Sequence, residues 1–125
     1  MSTSDQTLST LLVCLALSTQ ASAKDTGYVF VSNEKTNDIA VIDPRQEDRV
    51  IKWIQTSHSP RGMALRNDRK QLLVACGGDN VIDVIDVTAL AVIDHIPTGA
   101  NPEVFELSQD QKVLYVSNED RRAHV

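Results

Sequence analysis

Short apolar runs separated by polar turns make up most of the chain after residue 28. In the run VIDVIDV at Val81–Val87, successive side chains divide between two faces, because the side-chain period of a β-strand is two. Three further runs are PRGMAL at Pro60–Leu65, QLLVAC at Gln71–Cys76 and LAVIDHIPT at Leu90–Thr98. No helical periodicity follows residue 24, so the pattern predicts an all-β protein of short strands.

Polar segments rich in Asp, Asn and Gly connect these runs. RNDRK and SQDQK each place an Asp at the centre of a tight turn. CGGDN supplies Gly77 and Gly78 between two predicted strands. Because glycine adopts positive φ without a steric penalty, we expect both glycines to take up that conformation.

The runs and turns recur as an internal repeat. Val31–Asp43 matches Val74–Asp86 at an offset of 43, with six of 13 positions identical. Val50–Gly77 matches Val92–Glu119 at an offset of 42, with ten of 28 identical. Each unit of about 42 residues contains four β-type runs, which is typical of a β-propeller built from four-stranded antiparallel blades.

The first 23 residues have the features of an export signal. An apolar stretch, Leu8–Leu17, precedes a segment in which Ala21 and Ala23 have the spacing of a signal-peptidase site. No Lys or Arg precedes Lys24, which departs from the usual charged start. Ten helical residues rise about 15 Å, half the thickness of the hydrocarbon core, so we expect no stable membrane span. We predict a signal peptide at 1–23 and a periplasmic or secreted protein.

The repeat divides the rest of the chain, residues 24–125, into blades. We assign 28–59 to an incomplete blade, 60–101 to a complete one and 102–125 to the start of a third. This amounts to about 2.4 blades, whereas a radial propeller needs about four to eight. We therefore expect an incomplete propeller whose unpaired blade faces and edge strands promote self-association.

Charge and cysteine content argue against several classes of function. The net charge is −5 and the 12 basic residues form no run longer than two, which argues against nucleic-acid binding. A lipid anchor on Cys14 is disfavoured, because Val13 occupies a position that favours Gly or Ala. Signal cleavage would leave Cys76 alone, as a small packing residue at a strand end. The chain has no CxxCH motif for covalent haem and no cluster at metal-ligand spacing, so no cofactor is evident.

The repeat resembles that of the YVTN-repeat β-propeller family. The matching segments are YVFVSNEKTNDIAVID, TSHSPRGMALRNDRKQLLVACG and PTGANPEVFELSQDQKVLYVSNED, which span about residues 27–120. The runs NPEVFELS and LYVSNED are most similar to the β-propeller proteins associated with PQQ-dependent alcohol catabolism. The resemblance implies a secreted or periplasmic propeller and offers no catalytic set to transfer. A link between this chain and PQQ is implied only by this resemblance.

Two departures from the family pattern bear on structure. The family's Ser-Pro-Asp-Gly turn appears here as Asn67-Asp68-Arg69 and Gln109-Asp110-Gln111, so Gly is lost at a position that favours positive φ. The segment RRAHV at 121–125 replaces the apolar alternation that the next strand requires. We interpret the sequence as a truncated or frameshifted form of a longer propeller.

Strand order places two classes of loop on one face. Loops between blades and loops between second and third strands emerge on the same side, where propellers commonly bind their ligands. Arg61 and Glu103 open successive inner strands, and His58 is a titratable neighbour. The candidate face for a protein or small-molecule partner consists of His58, Arg61, Asn33, Glu34, Asp79, Glu103, Asn118 and Glu119.

Three aromatic positions are interpreted as structural. Trp53 and Phe105 alternate with polar neighbours, which predicts packing in the core or between blades. His95 stands at the position of Trp53 in the next repeat. We expect it to be a packed or half-exposed strand residue rather than a ligand.

The acidic residues of the third strand also have a structural interpretation. Asp83 and Asp86 suggest paired carboxylates for hydrolysis. However, Asp86 recurs as Asp43 at the same strand end. A residue present in successive blades is more simply a turn hydrogen-bonder, so we assign no catalytic residue and no metal ligand.

These observations predict a non-enzymatic periplasmic β-propeller that acts as a binding or accessory protein for PQQ-dependent alcohol oxidation. Two alternatives stay open. One is an enzyme of the propeller lactonase type, which needs converging acid–base or metal-ligating residues in the channel. The other is a haem-carrying electron-transfer propeller. The ligand and the number of blades in the intact protein do not follow from the sequence.

Overall fold

The computed structural model describes residues 26–119, which form nine β-strands and one short 3-10 helix, Pro44–Gln46. The strands are β1 (Val29–Asn33), β2 (Asp38–Asp43), β3 (Arg49–Gln55), β4 (Pro60–Leu65), β5 (Gln71–Cys76), β6 (Val81–Asp86), β7 (Ala91–Pro97), β8 (Pro102–Leu107) and β9 (Leu114–Asn118). Within this range no helix has the length and apolarity needed to cross a bilayer. The predicted signal peptide at 1–23 and the segment RRAHV at 121–125 lie outside the described residues.

The strands form three antiparallel sheets, which we number in chain order. The first contains β1–β2–β3, the second β4–β5–β6–β7 and the third β8–β9. Within each sheet the strands pair in the order of the sequence, in the up-and-down arrangement that builds a propeller blade. The predicted all-β architecture is confirmed, and Pro60–Leu65 and Gln71–Cys76 begin and end where the sequence pattern puts them.

Two hydrophobic clusters join the sheets. In the first cluster, Ile39 of the first sheet and Val74 of the second are fully buried. In the second cluster, Leu73 and Ile82 of the second sheet are covered by side chains of the third, among them Phe105. The second sheet is therefore covered on both faces, and the other two sheets are each covered on one.

Alternation along the central strands produces this arrangement. On β5, Val74 belongs to the first cluster and its neighbour Leu73 to the second. On β6, Ile85 belongs to the first cluster, whereas Ile82 and Val84 belong to the second. The predicted division of the VIDVIDV side chains between two faces is confirmed, and both faces are apolar because each meets another sheet.

The glycines of the β5–β6 turn do not have the predicted conformation. Neither Gly77 nor Gly78 has a positive φ, and Asn80 is the left-handed residue of that turn, at φ 56°. Space explains the glycines instead. A Cβ on Gly77 would lie 2.6 Å from Oδ1 of Asn101, and one on Gly78 would lie 2.7 Å from Cβ of His58. Both glycines allow a neighbouring loop to approach closely.

The turns that lack the family's glycine keep its backbone conformation. Arg69 has φ 57° and Gln111 has φ 63°, which confirms that this position needs positive φ. A side chain in the left-handed region costs roughly 1–2 kcal/mol. The two turns also contact each other, because the N–H of Asn67 in one donates to Oε1 of Gln111 in the other at 3.1 Å.

Asp43 and Asp86 have the predicted structural role. Oδ1 of Asp43 accepts the N–H of Arg45 at 3.0 Å, and Oδ1 of Asp86 accepts the N–H of Thr88 at 2.8 Å. Each carboxylate therefore closes a turn two residues beyond it, in the manner of an Asx turn.

One aromatic prediction is wrong and one is confirmed. Trp53 is 58% exposed, because it lies with Val31 and Ala40 on the face of the first sheet that points away from the second. Phe105 packs against the second cluster as predicted.

Candidate functional site

Asparagine side chains tie the loops between sheets to the neighbouring turns. Asn37, left-handed at the β1–β2 turn, accepts the N–H of Thr56 through its carbonyl and the N–H of Ser59 through Oδ1, each at 2.9 Å. Asn80 repeats this arrangement and accepts the N–H of Asn101 through Oδ1 at 2.8 Å. The loops between sheets and the turns between second and third strands therefore lie together on one face.

Arg61, at the start of β4, links all three sheets. Its Nη1 donates to Oε2 of Glu119, beyond the third sheet, at 2.9 Å, and its Nη2 lies 3.2 Å from Oε1 of Glu34, beyond β1. Nη1 also donates to Oδ1 of Asn101 at 3.2 Å. The carbonyl of Arg61 accepts a bond from Oγ of Ser32 at 3.0 Å. Contacts from both neighbouring sheets thus hold the guanidinium in place.

The two carboxylates also hold the charge on Arg61. Partial burial lowers the pKa of the guanidinium, but the hydrogen bonds to Glu119 and Glu34 outweigh it and raise the pKa above its usual range. Only 23% of the Arg61 side chain is exposed. The site is therefore a fixed cation between two anions, with the paired geometry that arginine favours.

A groove of about 500 Å³ opens beside Arg61. Its remaining lining is Ser32, Glu34, Pro60, Gly62, Glu103, Val104 and Glu119. Glu103 makes no ion pair within residues 26–119, so three carboxylates face one guanidinium. This balance suits a ligand that presents positive charge together with hydrogen-bonding groups.

The glycine in this lining has a packing reason. A Cβ on Gly62 would lie 2.7 Å from the carbonyl oxygen of Glu103, so β4 and β8 approach too closely for a side chain. Gly62 therefore brings the inner strands of the second and third sheets together and places Glu103 next to Arg61.

His58 and Asp79 form a second pair that does not line the groove. Nδ1 of His58 lies 2.8 Å from Oδ2 of Asp79, and the His58 N–H donates to the same oxygen at 2.7 Å. The backbone bond first, and the ring contact second, hold the pKa of Asp79 below its usual value. This pair fastens the loop after the first sheet to the β5–β6 turn.

The two asparagines of the predicted face also lie outside the groove lining. Nδ2 of Asn33 donates to Oδ1 of Asp38 across the β1–β2 hairpin at 2.8 Å. Nδ2 of Asn118 lies 2.8 Å from the position that a Cβ on Gly99 would take. Of the eight predicted residues, the structure brings together at the groove Glu34, Arg61, Glu103 and Glu119.

A polar cluster between the first two sheets is the feature that sequence reasoning missed. Asp83 on β6 is fully buried. Its carboxylate accepts the N–H of Ser57 at 2.7 Å and Oγ of Ser57 at 2.9 Å, and it lies 2.7 Å from Nδ1 of His95. A buried carboxylate is tolerated only with such partners.

The cluster does not have the geometry of a nucleophilic triad. Such a triad requires the serine hydroxyl to contact the histidine, which in turn contacts the carboxylate. Here Ser57 and His95 both contact Asp83 Oδ1. His95 is 57% exposed on β7, which confirms the half-exposed strand position predicted for it.

Cys76 behaves as a packing residue. It is fully buried at the end of β5, and burial raises the pKa of its thiol to about 12. A thiol with that pKa is not a nucleophile near neutral pH. Within residues 26–119, no three His, Cys, Asp or Glu side chains are arranged to hold a metal ion.

Comparison with known sequences yields no match, either to a protein-family model or to a curated protein. Comparison with solved structures does. The chain is similar to Kuenenia stuttgartiensis hydrazine synthase, with 24% identity and a TM-score of 0.68, over 75% of this chain and 26% of that one. It is also similar to dihydro-haem d1 dehydrogenase NirN in complex with DHE, with 17% identity and a TM-score of 0.63, over 74% and 20%.

A third similar structure is a functionally unknown protein from Desulfotomaculum acetoxidans. It is 15% identical with a TM-score of 0.65, and the match covers 74% of this chain and 32% of that one. The chain therefore spans about a third or less of each of these proteins. Hydrazine synthase and NirN are β-propeller proteins, so the similarity shows the propeller fold.

Proposed function

We propose that this chain belongs to an exported, non-enzymatic β-propeller that acts as a binding or accessory protein in PQQ-dependent alcohol oxidation. The observation that carries the binding role is the Arg61 groove, in which one fixed guanidinium and three carboxylates converge from three sheets. The link to PQQ-dependent catabolism rests on the resemblance of the NPEVFELS and LYVSNED runs to that group of propellers.

The groove has the properties of a recognition surface rather than those of a reaction centre. The guanidinium of Arg61 is held by Glu34 and Glu119, so it orients those carboxylates and cannot itself exchange protons. Glu103 remains available to a cationic group of a partner. Charges arranged in this way select a partner and its orientation.

Deletion and complementation in the source organism test the assignment. We expect deletion to slow growth on an alcohol that is oxidised by a PQQ enzyme and to leave growth on an organic acid unchanged. The chain with Glu103→Gln should fail to restore growth. The chain with Glu106→Gln should restore it, because Glu106 lies three residues further along β8 and does not line the groove.

Three results would contradict the proposal in different ways. Unchanged growth of the deletion strain on alcohols would exclude the PQQ-linked role. Full complementation by both Glu103→Gln and Arg61→Lys would exclude the groove as the binding site. Hydrolysis of a lactone by the purified protein, abolished by Glu103→Gln, would show an enzyme instead.

A further inference from the structure

Arg66, the residue that follows β4, carries a guanidinium without an anionic partner. Within residues 26–119, no carboxylate forms an ion pair with it. Its Nη1 donates to the carbonyl of Gln111 at 3.5 Å, which is long for a hydrogen bond, and its Nε is buried without an acceptor. Because charged groups that are partly buried usually have such partners, the Arg66 guanidinium can bind a further acceptor.

The repeat singles out Arg66, because the corresponding residue of the third sheet is Ser108. The N–H of Arg66 donates to the carbonyl of Gln71, and the N–H of Ser108 donates to that of Val113, so the two turns share this backbone bond. The side chains differ. Oγ of Ser108 donates to Oδ1 of Asp110 at 2.7 Å and closes its own turn. The Arg66 side chain instead contacts the facing turn, so the turn itself does not require an arginine.

A pocket of about 210 Å³ lies beside Arg66. Its lining consists of Arg66, Asn67, Asp68 and Gln111, so it is formed by the β4–β5 turn of the second sheet and the β8–β9 turn of the third. The Arg61 groove lies at the other end of β4, and the two sites share no lining residue. The volume of the pocket suits a small molecule.

The polar groups of this pocket include both donors and acceptors. The side-chain amide of Asn67 makes no hydrogen bond within residues 26–119. Oδ1 of Asp68 accepts the N–H of Lys70 at 3.0 Å, and its Oδ2 accepts no hydrogen bond in that range. The turn at 66–70 has three basic residues and one acidic residue, in a chain whose net charge is −5. This local surplus of positive charge favours a ligand that is a net anion.

We propose that this pocket binds a small carboxylic acid that also carries a hydroxyl group. Burial of Nε leaves the Nη1 and Nη2 edge of Arg66 to receive the carboxylate at two points, which is a geometry that arginine favours. Oδ2 of Asp68 accepts the hydroxyl of the ligand, and the Asn67 amide donates to a ligand oxygen. The Asp68 carboxylate repels ligands of higher negative charge, such as phosphate. An amino acid is disfavoured because it has no net charge.

Titration of the full chain with glycolate tests the proposal. We expect saturable shifts in the NMR signals of the Arg66 guanidinium and of the Asn67 side-chain amide. Arg66→Ser introduces the residue that the third sheet has at this position, and it should raise the dissociation constant measured by calorimetry at least tenfold. Lys112→Ser is the matched control, because it removes one positive charge from the facing turn outside the pocket lining.

Circular dichroism confirms that these variants are folded, and Arg66→Gln replaces Arg66→Ser if that chain is not. Glu103→Gln, which alters the Arg61 groove, should leave glycolate binding unchanged. Failure of this proposal is therefore distinguishable from failure of the proposed function.

Two further probes test the class of ligand. Acetate lacks the hydroxyl that Asp68 accepts, and inorganic phosphate carries more negative charge at pH 8. We expect each to bind at least fivefold more weakly than glycolate. Asp68→Asn should reduce the preference for glycolate over phosphate, because it removes the repelling charge.

Three results would overturn the proposal. Shifts that sodium chloride reproduces at the same ionic strength show only screening of charge. Equal weakening by Arg66→Ser and Lys112→Ser shows general attraction to a basic surface. Equal affinity for acetate and glycolate excludes a ligand that is recognised through its hydroxyl.

Discussion

The second sheet and the two sheets beside it contain the same repeat in different surroundings. Val74 in the second sheet is fully buried, whereas the corresponding Val31 in the first sheet is 41% exposed. Leu73 in the second sheet is fully buried, whereas the corresponding Tyr115 in the third is 64% exposed. The local sequence therefore determines where a strand forms, and the neighbouring sheet determines whether its side chains are buried.

Because burial differs between the sheets in this way, we expect the free energy of unfolding to depend on the contacts between adjacent sheets. Each sheet presents two apolar faces, and a face stabilises the fold only where another sheet covers it. The second sheet should therefore be the most sensitive to substitution.

The largest effect is expected in the second sheet. Leu73→Ala removes apolar contacts with the third sheet and leaves a cavity, which should lower the free energy of unfolding by about 2–5 kcal/mol. Leu65→Ala, at a 45% exposed position of the same sheet, should cost less than about 1 kcal/mol. Urea unfolding of both variants measures the difference. Equal costs would mean that the third sheet does not cover Leu73.

The polar cluster offers a second way to sharpen the comparison, because the first sheet has Ala40 and Trp53 in the places of Asp83 and His95. Asp83→Ala leaves the donors of Ser57 and His95 without their acceptor. This should lower the free energy of unfolding by about 1–3 kcal/mol. A double-mutant cycle with His95→Ala should give a coupling energy of about 0.5–3 kcal/mol. Strictly additive costs would show that the two side chains do not interact.

Acid should weaken the junction between the first two sheets. The pKa of Asp79 is lowered by the backbone and ring bonds from His58. This carboxylate therefore stabilises the fold fully above its unfolded pKa of about 3.9, and the contribution is lost as the pH falls through its lower folded pKa. Urea unfolding between pH 2 and pH 6, of the natural chain and of Asp79→Asn, measures this.

The two stability profiles should differ in that acidic range. The natural chain should lose stability as the pH falls, and the Asp79→Asn chain should lose less. Parallel profiles would show that protonation of Asp79 is not coupled to unfolding. The Asp110→Asn variant is a useful reference, because Asp110 has a lowered pKa from bonds to Ser108 and Lys112 within one turn of the third sheet.

The smallest effect is expected at a left-handed turn of the first sheet. Glu47 has φ 58° at the end of the 3-10 helix, a conformation that glycine adopts freely. Glu47→Gly should raise the free energy of unfolding by up to about 1 kcal/mol. Leu90→Gly, at φ 54° in the corresponding connection of the second sheet, should instead lower it, because Leu90 packs against the first cluster. Thermal melting of the two variants tests these opposite signs.

The sequence predicts the strands well, because alternation and turn residues are local properties. The limits of β4 and β5 and the turn roles of Asp43 and Asp86 follow from the repeat alone. Trp53 is mispredicted, since its burial depends on a sheet that does not cover it within residues 26–119.

The features that the sequence does not predict depend on contacts between segments that are distant in sequence. Gly77 and Gly78 are required by loops from other sheets, which a turn pattern does not show. In the Ser57–Asp83–His95 cluster, Asp83 and His95 face each other across the β6–β7 hairpin, but Ser57 comes from the loop after the first sheet. A signal for it exists, because Asp83 and His95 together interrupt the repeat where the preceding copy has Ala and Trp.

Amide hydrogen exchange under native conditions tests the central claim that neighbouring sheets set stability in this chain. We expect the slowest exchange at hydrogen-bonded amides of β5 and β6, which lie inside the second sheet between two clusters. The amides of β1 and β9, at open sheet edges within the described residues, should exchange fastest among the strands. Equal protection of all nine strands, or greater protection of β1 and β9 than of β5 and β6, would contradict the account.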